Sequence, residues 1–370
     1  MSDTNAHTET HAAPHDAERT TERWREVRRL AEGGRLGAYL PHTGWFHFPL
    51  ADPNPDEFFN ETVDTAERFG WDIVKIMTNG NYLPIAYGAD YDYSRDPHKW
   101  DGVFHSHPIA SEADAAALPA LDATNPTLAA EVKVDARIAR RFRGDRPVIA
   151  TLFDPLSWVQ ELSTPLDARY VRHLIDTDPK ALRHALESIQ LTNERFLAAL
   201  IDAGVDGVFF TTKFSTSELL TPAEHEEFVL PYLRRTAETL RGRTWLNLLH
   251  VHGVAGLYLD DLVGLDFNAI NWESVGEGAT SVAELRAKTD KLLVTGVDHD
   301  HDFEGQRATV RERLRSRLDD ALAGNDGGPL VFGPGCSLPL DVDRSLFSLI
   351  GTTVGEAGLA DVSAREVALA

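Results

Sequence analysis

The chain has 370 residues, of which 42% are hydrophobic and 25% are charged, as in globular proteins with a large core. Its formal net charge is −22, which disfavours binding to nucleic acid or to an anionic membrane surface. The one cysteine, Cys336, excludes an internal disulfide and a cysteine-rich zinc finger. With neither a signal-peptide core nor an apolar run of about 18 residues, the sequence predicts a cytoplasmic protein.

The N-terminal residues are mostly polar, and we expect residues 1–20 to form a disordered tail before a folded domain that spans residues 21–370. His7, His11 and His15 lie in this tail at a spacing that would align them on a helix. We interpret them as part of a polar leader and assign them no role.

After a predicted helix at residues 22–32, short apolar runs alternate with amphipathic segments. The predicted strands are residues 36–40, 72–77, 148–153, 207–211, 244–249, 269–272, 292–295 and 330–332. The predicted helices are residues 55–69, 129–143, 179–203, 222–241, 254–263, 281–288 and 307–323. Eight apolar strands separated by helices are typical of a parallel sheet that closes into a barrel.

A doubly wound sheet is the alternative arrangement, but no Gly-x-Gly-x-x-Gly loop follows any predicted strand. The pattern therefore favours an α/β fold, a single (β/α)8 TIM barrel with an N-terminal extension. Residues 82–145 interrupt the alternation, and we predict that they form an excursion over the barrel mouth that includes the helix at residues 129–143.

In such barrels, the reactive groups lie at the C-terminal ends of the strands. His250 and His252 follow the fifth predicted strand, and residues i and i+2 of an extended chain project to the same side. Cys336 follows the eighth strand within Gly-Pro-Gly-Cys, where the glycines permit a tight turn. Two imidazoles and a thiolate could hold Zn²⁺ with one open position. A chance His-x-His pair and a cysteine buried as a small apolar residue are the alternative interpretation.

Other polar residues also stand at predicted strand ends. We predict Glu273, Lys213 and Tyr82 as catalytic residues, and Asn79, Asn81, Lys75 and Asn271 as substrate-binding residues. For each of them, a solvated position or a supporting role behind the site is the alternative.

Several segments in the C-terminal half carry a resemblance to a known family. They are Leu-Leu-His-Val-His-Gly at 248–253, Ala-Ile-Asn-Trp at 269–272, Val-Thr-Gly-Val-Asp at 294–298 and Phe-Gly-Pro-Gly-Cys-Ser-Leu-Pro at 332–339. Phe-Val-Leu-Pro-Tyr-Leu at 228–233 and Trp-Asp-Ile-Val-Lys-Ile at 71–76 fit the same pattern. Over roughly residues 36–357, the chain resembles the uroporphyrinogen decarboxylase superfamily, which implies a (β/α)8 barrel.

The superfamily includes haem-pathway decarboxylases and zinc-dependent methyltransferases that pass a methyl group between a corrinoid and a thiol such as coenzyme M. The decarboxylases share an N-terminal Arg-Gln-Ala-Gly-Arg stretch that grips carboxylates. The corresponding residues 40–47 here read Leu-Pro-His-Thr-Gly-Trp-Phe-His, without an arginine. The chain is therefore nearer to the methyltransferase branch.

The methyltransferases carry zinc on a His-x-Cys pair and a later cysteine. This resemblance implies Zn²⁺ on His250, His252 and Cys336, with a substrate thiol at the open position attacking an alkyl donor. His252 stands where the family has cysteine, which raises the net charge of the site by one unit and should weaken a bound thiolate as a nucleophile. No corrinoid-binding domain is evident, so any corrinoid would come on a partner protein.

Two other functions stay open. One is a decarboxylase or other carbon–carbon lyase, with Lys75 and Lys213 holding a small carboxylic acid, and the other is a barrel that only binds a ligand. The expected partners are a small-molecule substrate, a corrinoid carrier protein and a second copy in a homodimer. Neither nucleic acid nor a membrane is expected.

Overall fold

The computed structural model describes residues 20–164 and 167–360, so nearly all of the predicted tail lies outside the described residues. Within them, a parallel sheet runs in the order β1-β4-β5-β6-β7-β8-β9, and a separate antiparallel hairpin joins β2 to β3. The strands are β1 Val74–Lys75, β2 Tyr91–Asp92, β3 Val103–Phe104, β4 Val148–Phe153, β5 Gly207–Thr212, β6 Leu246–Val251, β7 Ala269–Trp272, β8 Leu292–Val297 and β9 Leu330–Pro334.

Helices connect successive strands of the sheet, which confirms the predicted α/β barrel. They are α1 Glu22–Ala31, α2 Pro55–Phe69, α3 Tyr82–Ala86, α4 Glu112–Ala117, α5 Pro126–Phe142, α6 Pro155–Ser163, α7 Arg169–Thr177, α8 Pro179–Ala203, α9 Pro222–Phe228, α10 Leu230–Leu240, α11 Leu259–Leu262, α12 Val282–Arg286, α13 Arg307–Asn325 and α14 Ser348–Glu356, with a 3₁₀ helix at Arg344–Phe347. No described helix is both long and apolar enough to cross a bilayer.

Sequence signals set several boundaries as predicted. Helix α2 begins with a proline after the capping Asn54 and ends at Gly70, which has a positive φ of 67°. The predicted helix at residues 222–241 is instead divided at Val229 into α9 and α10. The predicted helix at residues 254–263 shrinks to α11, because Gly256 adopts a φ of 66° outside the helical region.

The barrel closes through an irregular segment and not through a strand at residues 36–40, so that prediction is wrong. His42 forms a parallel bridge with Phe332 of β9, and Phe332 N donates to Pro41 O at 2.9 Å. On the other side, Asp72 N donates to His42 O at 2.8 Å. Pro41 has no N–H to donate, so this segment cannot form a regular ladder of hydrogen bonds. It takes the place of the eighth barrel strand with only a few hydrogen bonds to its neighbours.

The excursion between β1 and β4 lies against the barrel mouth, as predicted. It contains α3, the β2–β3 hairpin, α4 and α5. His98 Nδ1 lies 2.7 Å from Leu340 O, and Arg344 donates to Pro97 O at 3.0 Å, so the excursion contacts the chain that follows β9. Trp100 stacks on His47 with ring centroids 5.0 Å apart, which brings an aromatic ring over the barrel opening.

Asp72 holds the closing segment to the rest of the barrel. Its fully buried carboxylate accepts hydrogen bonds from the Tyr39 hydroxyl and from His42 N, and Arg23 Nε lies 2.8 Å from it. Burial alone would raise the pKa of Asp72, but His42, Arg23 and Tyr39 outweigh it and lower that pKa.

We expect Asp72→Asn to lower the free energy of unfolding by about 3 kcal/mol at neutral pH, because it breaks a buried ion pair. The pKa of Asp72 in the folded protein lies below its value of about 4 in the unfolded chain. The carboxylate therefore stabilises the fold at pH values above about 4, and this contribution is lost as the pH falls through the folded-state pKa. The difference between variant and wild type should therefore narrow below about pH 4 in urea-unfolding experiments.

Glu32→Gln provides a matched control, because its exposed pair with Arg28 at 2.9 Å should contribute less than about 1 kcal/mol. A loss at Asp72 no larger than the loss at Glu32 would show that the carboxylate does not hold the closing segment.

Candidate metal centre and active site

Three potential metal donors converge at the C-terminal end of the barrel. His250 lies in β6, His252 directly after it, and Cys336 follows β9, with all three donor atoms within 4.8 Å of one another. Cys336 Sγ lies 3.8 Å from His250 Nε2 and 3.7 Å from His252 Nδ1. Because β7 and β8 separate β6 from β9, the three side chains meet across the barrel and not along one pair of neighbouring strands.

The fit to zinc can be tested by geometry. Zinc lies about 2.0–2.1 Å from nitrogen and about 2.3 Å from sulfur, so two such donors at tetrahedral positions are about 3.6 Å apart. The two sulfur–nitrogen distances are close to this value. The chain itself therefore places an Nε2, an Nδ1 and an Sγ where one zinc ion could bind all three.

Asn271 on β7 fixes which nitrogen of His250 faces the other donors. Its Nδ2 donates to Val294 O at 2.6 Å and to Pro334 O at 2.9 Å, so its Oδ1 must be the acceptor facing His250 Nδ1 at 2.6 Å. His250 therefore carries its proton on Nδ1 and directs the lone pair of Nε2 towards Cys336. This support behind a metal ligand is common in metalloenzymes.

Electrostatics also favours the ligand forms of these side chains. Burial lowers the pKa of His250. His252 opens onto a cavity but is closely surrounded by protein, and this desolvation, with the nearby Lys213 and His299, lowers its pKa to about 4. Burial opposes ionisation of Cys336, yet its hydrogen bond with His250 and nearby positive charge lower its pKa to about 6. Neutral imidazoles and a thiolate are the forms that bind metals.

A glycine brings the cysteine turn close to β7. A Cβ atom on Gly335 would lie 2.5 Å from Glu273 Oε2 and 2.6 Å from Glu273 Cα. A larger residue could not occupy this position without moving the backbone. The glycine before Cys336 is therefore required for the thiol to reach the two histidines.

The open side of the three donors faces a cavity of about 360 Å³, a volume suited to a small molecule. One wall is aromatic and consists of Trp45, Tyr82, Trp100, Phe153 and Phe209. The basic and acidic side chains in the cavity, apart from the three donors, are His47, Lys75, His98, Glu161, Lys213 and His299. The cavity thus combines apolar walls with a few polar groups, as ligand sites generally do.

Glu273 lies behind the cavity and holds a histidine in it. Its Oε2 lies 2.7 Å from His299 Nδ1, while its Oε1 accepts from Val275 N at 2.9 Å. Burial would lower the pKa of His299, but this hydrogen bond and the charges of Cys336 and Asp300 raise it to about 9. Glu273, Asp298 and His299 form a second group of potential donors. Asp298 Oδ1, however, caps the following turn by accepting from Asp300 N and His301 N.

The structure brings some of the sequence-predicted residues into the cavity and leaves others outside. Lys75, Lys213 and Tyr82 line it. Asn271 supports His250, and Glu273 supports His299. The two remaining residues turn away from the cavity: Asn79 donates to Asp52 at 3.0 Å, and Asn81 donates to the Tyr91 hydroxyl at 3.1 Å. Catalytic and binding roles for all seven stay predictions.

Sequence reasoning missed other members of the cavity. Glu161 lies in the last turn of α6 and forms an ion pair with Lys213, and no local pattern marks a helical glutamate as such a partner. Phe209 is one of several apolar residues in β5, so its composition does not distinguish it. It stands two residues before Thr211, however, and residues two apart in a strand face the same side, which could have placed both towards the barrel interior. His299 stands two residues after β8, at a strand end where reactive groups are expected, but its position alone does not assign it a role.

Comparison with known proteins places the chain in a family. The family profile described as uroporphyrinogen decarboxylase (URO-D) matches residues 36–348. A uroporphyrinogen decarboxylase from Roseiflexus sp. (strain RS-1) is 24% identical over 308 residues, which cover 78% of this chain and 82% of that protein. The one from Rhodococcus opacus (strain B4) is 26% identical over 76% of this chain and 75% of its own length.

Two solved structures share the fold. A methyltransferase from Methanosarcina mazei has a TM-score of 0.75 and 17% identity, covering 90% of this chain and 98% of its own. A B12-independent methionine synthase from Shewanella sp. W3-18-1 has a TM-score of 0.53 and 14% identity, covering 91% and 98%. Since the profile match extends over most of its length, the chain belongs to the uroporphyrinogen decarboxylase family.

Proposed function

We propose that this protein is a zinc-dependent transferase that moves an alkyl group, in particular a methyl group, to a small thiol. The observation that carries the proposal is the convergence of His250, His252 and Cys336 beside the cavity at the barrel mouth. Their spacing fits three positions around zinc and leaves the side towards the cavity for a substrate. Zinc bound there would stabilise the thiolate form of a substrate thiol.

The remaining groups of the cavity would bind and orient the substrate. The aromatic wall would cover the carbon atoms of the thiol and exclude water from the reacting sulfur. Tyr82 belongs to this wall. Its ring packs against Trp158 and its hydroxyl lies 3.4 Å from Thr151 O, and these contacts hold it in place. The imidazolium of His299, held by Glu273, would place a positive charge beside the thiolate of Cys336.

The names of the structural neighbours support transfer chemistry, because one is a methyltransferase and the other a methionine synthase. The alkyl donor would be either a corrinoid carried by a partner protein or a small activated molecule. In both cases the alkyl donor would reach the cavity next to the excursion, whose Trp100 and His98 form part of the lining.

A lyase acting on a small carboxylic acid is the second candidate, because the curated relatives are named decarboxylases. Lys75 and Lys213 are the cavity groups that could hold a carboxylate. No arginine is among the described residues that line the cavity, so bidentate recognition of carboxylates is missing there. For this reason we favour the transferase.

The two candidates differ in their products. With zinc-loaded protein, methylcobalamin and 2-mercaptoethanol, we expect the methyl thioether to form at a rate that depends on the protein. Mass spectrometry of the products checks this. Absence of thioether from fully zinc-loaded protein, together with carbon dioxide release from small carboxylic acids, would favour the lyase.

Cys336→Ser should weaken zinc binding more than about 100-fold, because a neutral hydroxyl is a far poorer ligand than a thiolate. The fold should change little, since the thiol is only partly buried at the barrel mouth. Competition with a chelator measures the affinity, and Ser337→Ala, an adjacent change in the cavity lining, is the matched control. Full zinc affinity in the serine variant would remove Cys336 from the ligand set.

Asn271→Ala should weaken zinc binding about 10- to 100-fold, because His250 loses the hydrogen bond that fixes its tautomer. Asn193→Ala is the control, since Asn193 is also a buried amide and donates to Phe153 O at 2.9 Å, yet it does not contact a donor. Both variants should lose stability, but only the first should lose zinc. Equal zinc affinities in the two variants would contradict this role of Asn271.

A further inference from the structure

Lys75 is a buried amine that enters the cavity without an acidic partner. Its side chain projects from β1 into the barrel and is 7% exposed. Its Nζ lies 2.7 Å from Met77 Sδ, 4.5 Å from the centroid of the Phe209 ring and 5.8 Å from that of Trp45. Among the described residues, no carboxylate lies within ion-pair distance of it.

The second lysine of the cavity is arranged differently. Lys213 Nζ forms an ion pair with Glu161, and its backbone N donates to Ser157 Oγ at 2.8 Å. Both lysines line the same cavity, yet only Lys213 has a carboxylate to neutralise its ammonium. A thioether and two aromatic rings stabilise an ammonium less than a carboxylate would, and burial lowers the pKa of Lys75 to about 7.

Lys75 is the cavity amine that remains available as a base. His98 also lines the cavity, but its Nδ1 lies 2.7 Å from Leu340 O, in the contact between the excursion and the chain after β9. His250 and His252 are donors to the proposed metal, and Lys213 is paired with Glu161. Burial, with Lys75 and Lys213 nearby, lowers the pKa of His47 to about 3, so it is a weak base. His299 is already protonated through its contact with Glu273. The Cys336 thiolate favours the charged form of Lys75, but burial outweighs it.

We infer that Lys75 accepts the proton of the substrate thiol. This inference rests on the proposed function, because a thiol becomes the nucleophile only after it loses its proton. In the step, the S–H bond breaks, its electron pair stays on sulfur, and the proton forms a new N–H bond with the Nζ lone pair. The ammonium then has the anionic partner that the free protein does not give it, and the proton stays inside the cavity.

The proton balance of thiol binding tests this role. Calorimetric titration of zinc-loaded protein with 2-mercaptoethanol at about pH 8, in buffers of different ionisation enthalpy, counts the protons released to solvent. Wild-type protein should release close to none. Lys75→Arg should release about one per thiol bound, because arginine stays protonated and cannot accept another proton.

Lys213→Arg is the matched control, because it makes the same change in the same cavity but keeps a cation beside Glu161. It should release as few protons as wild type. Lys75→Met is a second test variant in case the arginine does not fit, and it should also release about one proton. Release of a full proton by wild type, or retention of the proton in both Lys75 variants, would overturn the inference.

Cobalt-substituted protein separates this inference from the proposed function. Thiolate-to-cobalt absorption on adding 2-mercaptoethanol reports that the thiol binds at the metal. Without that absorption, the proposed function and the inference both fail. If the absorption appears and wild type still releases the proton, only the inference fails.

A measurement without added metal addresses the amine directly. In protein labelled with carbon-13 at lysine Cε, the signal that disappears in Lys75→Arg should titrate near pH 7. A Lys75 signal that titrates only near the usual value of about 10 would show that the amine is charged at neutral pH, which contradicts its role as a base.

Discussion

The side chain of Asn271 joins four consecutive strands at the end of the barrel where the metal donors lie. It belongs to β7, accepts from His250 of β6, and donates to Val294 O of β8 and Pro334 O of β9. The same amide thus fixes the tautomer of one donor and holds the strand that leads to Cys336. The position of the donors depends on these bonds, because β6 and β9 are not neighbours and share no ladder.

The sequence predicts the proximity of His250, His252 and Cys336 because local rules govern the position of each of them. His250 and His252 share a side through the two-residue period of a strand, and Gly335 permits the turn before Cys336. The ion pair between Lys213 and Glu161 could not be predicted in the same way, since it joins residues that are 52 positions apart on different elements. The predicted strand at residues 36–40 is wrong for a similar reason, since contacts between distant residues decide where the barrel closes. It closes where His42 meets Asp72 and Phe332 and not at the apolar run.

The charge of the cavity differs from the charge of the whole chain. The net charge is −22, yet the cavity lining contains Lys75, Lys213 and His299 and only one carboxylate, that of Glu161. Glu273 balances His299 from behind the lining. Because charges on the distant surface are screened by solvent and salt, the acidic exterior has little influence on the chemistry of a substrate inside the barrel. The local groups set the protonation of the donors.

His252 and Lys75 are connected through this local charge. An imidazole at position 252 is neutral where a thiolate would be negative, so the cavity contains one negative donor, Cys336, where it would otherwise contain two. A second thiolate would raise the pKa of Lys75, whose Nζ has no carboxylate partner, and would keep the amine protonated. With His252 in place, the amine remains able to accept a proton until a substrate thiolate supplies the missing negative charge. In the proposed mechanism, the histidine that would weaken a bound thiolate as a nucleophile would therefore also preserve the base that generates it.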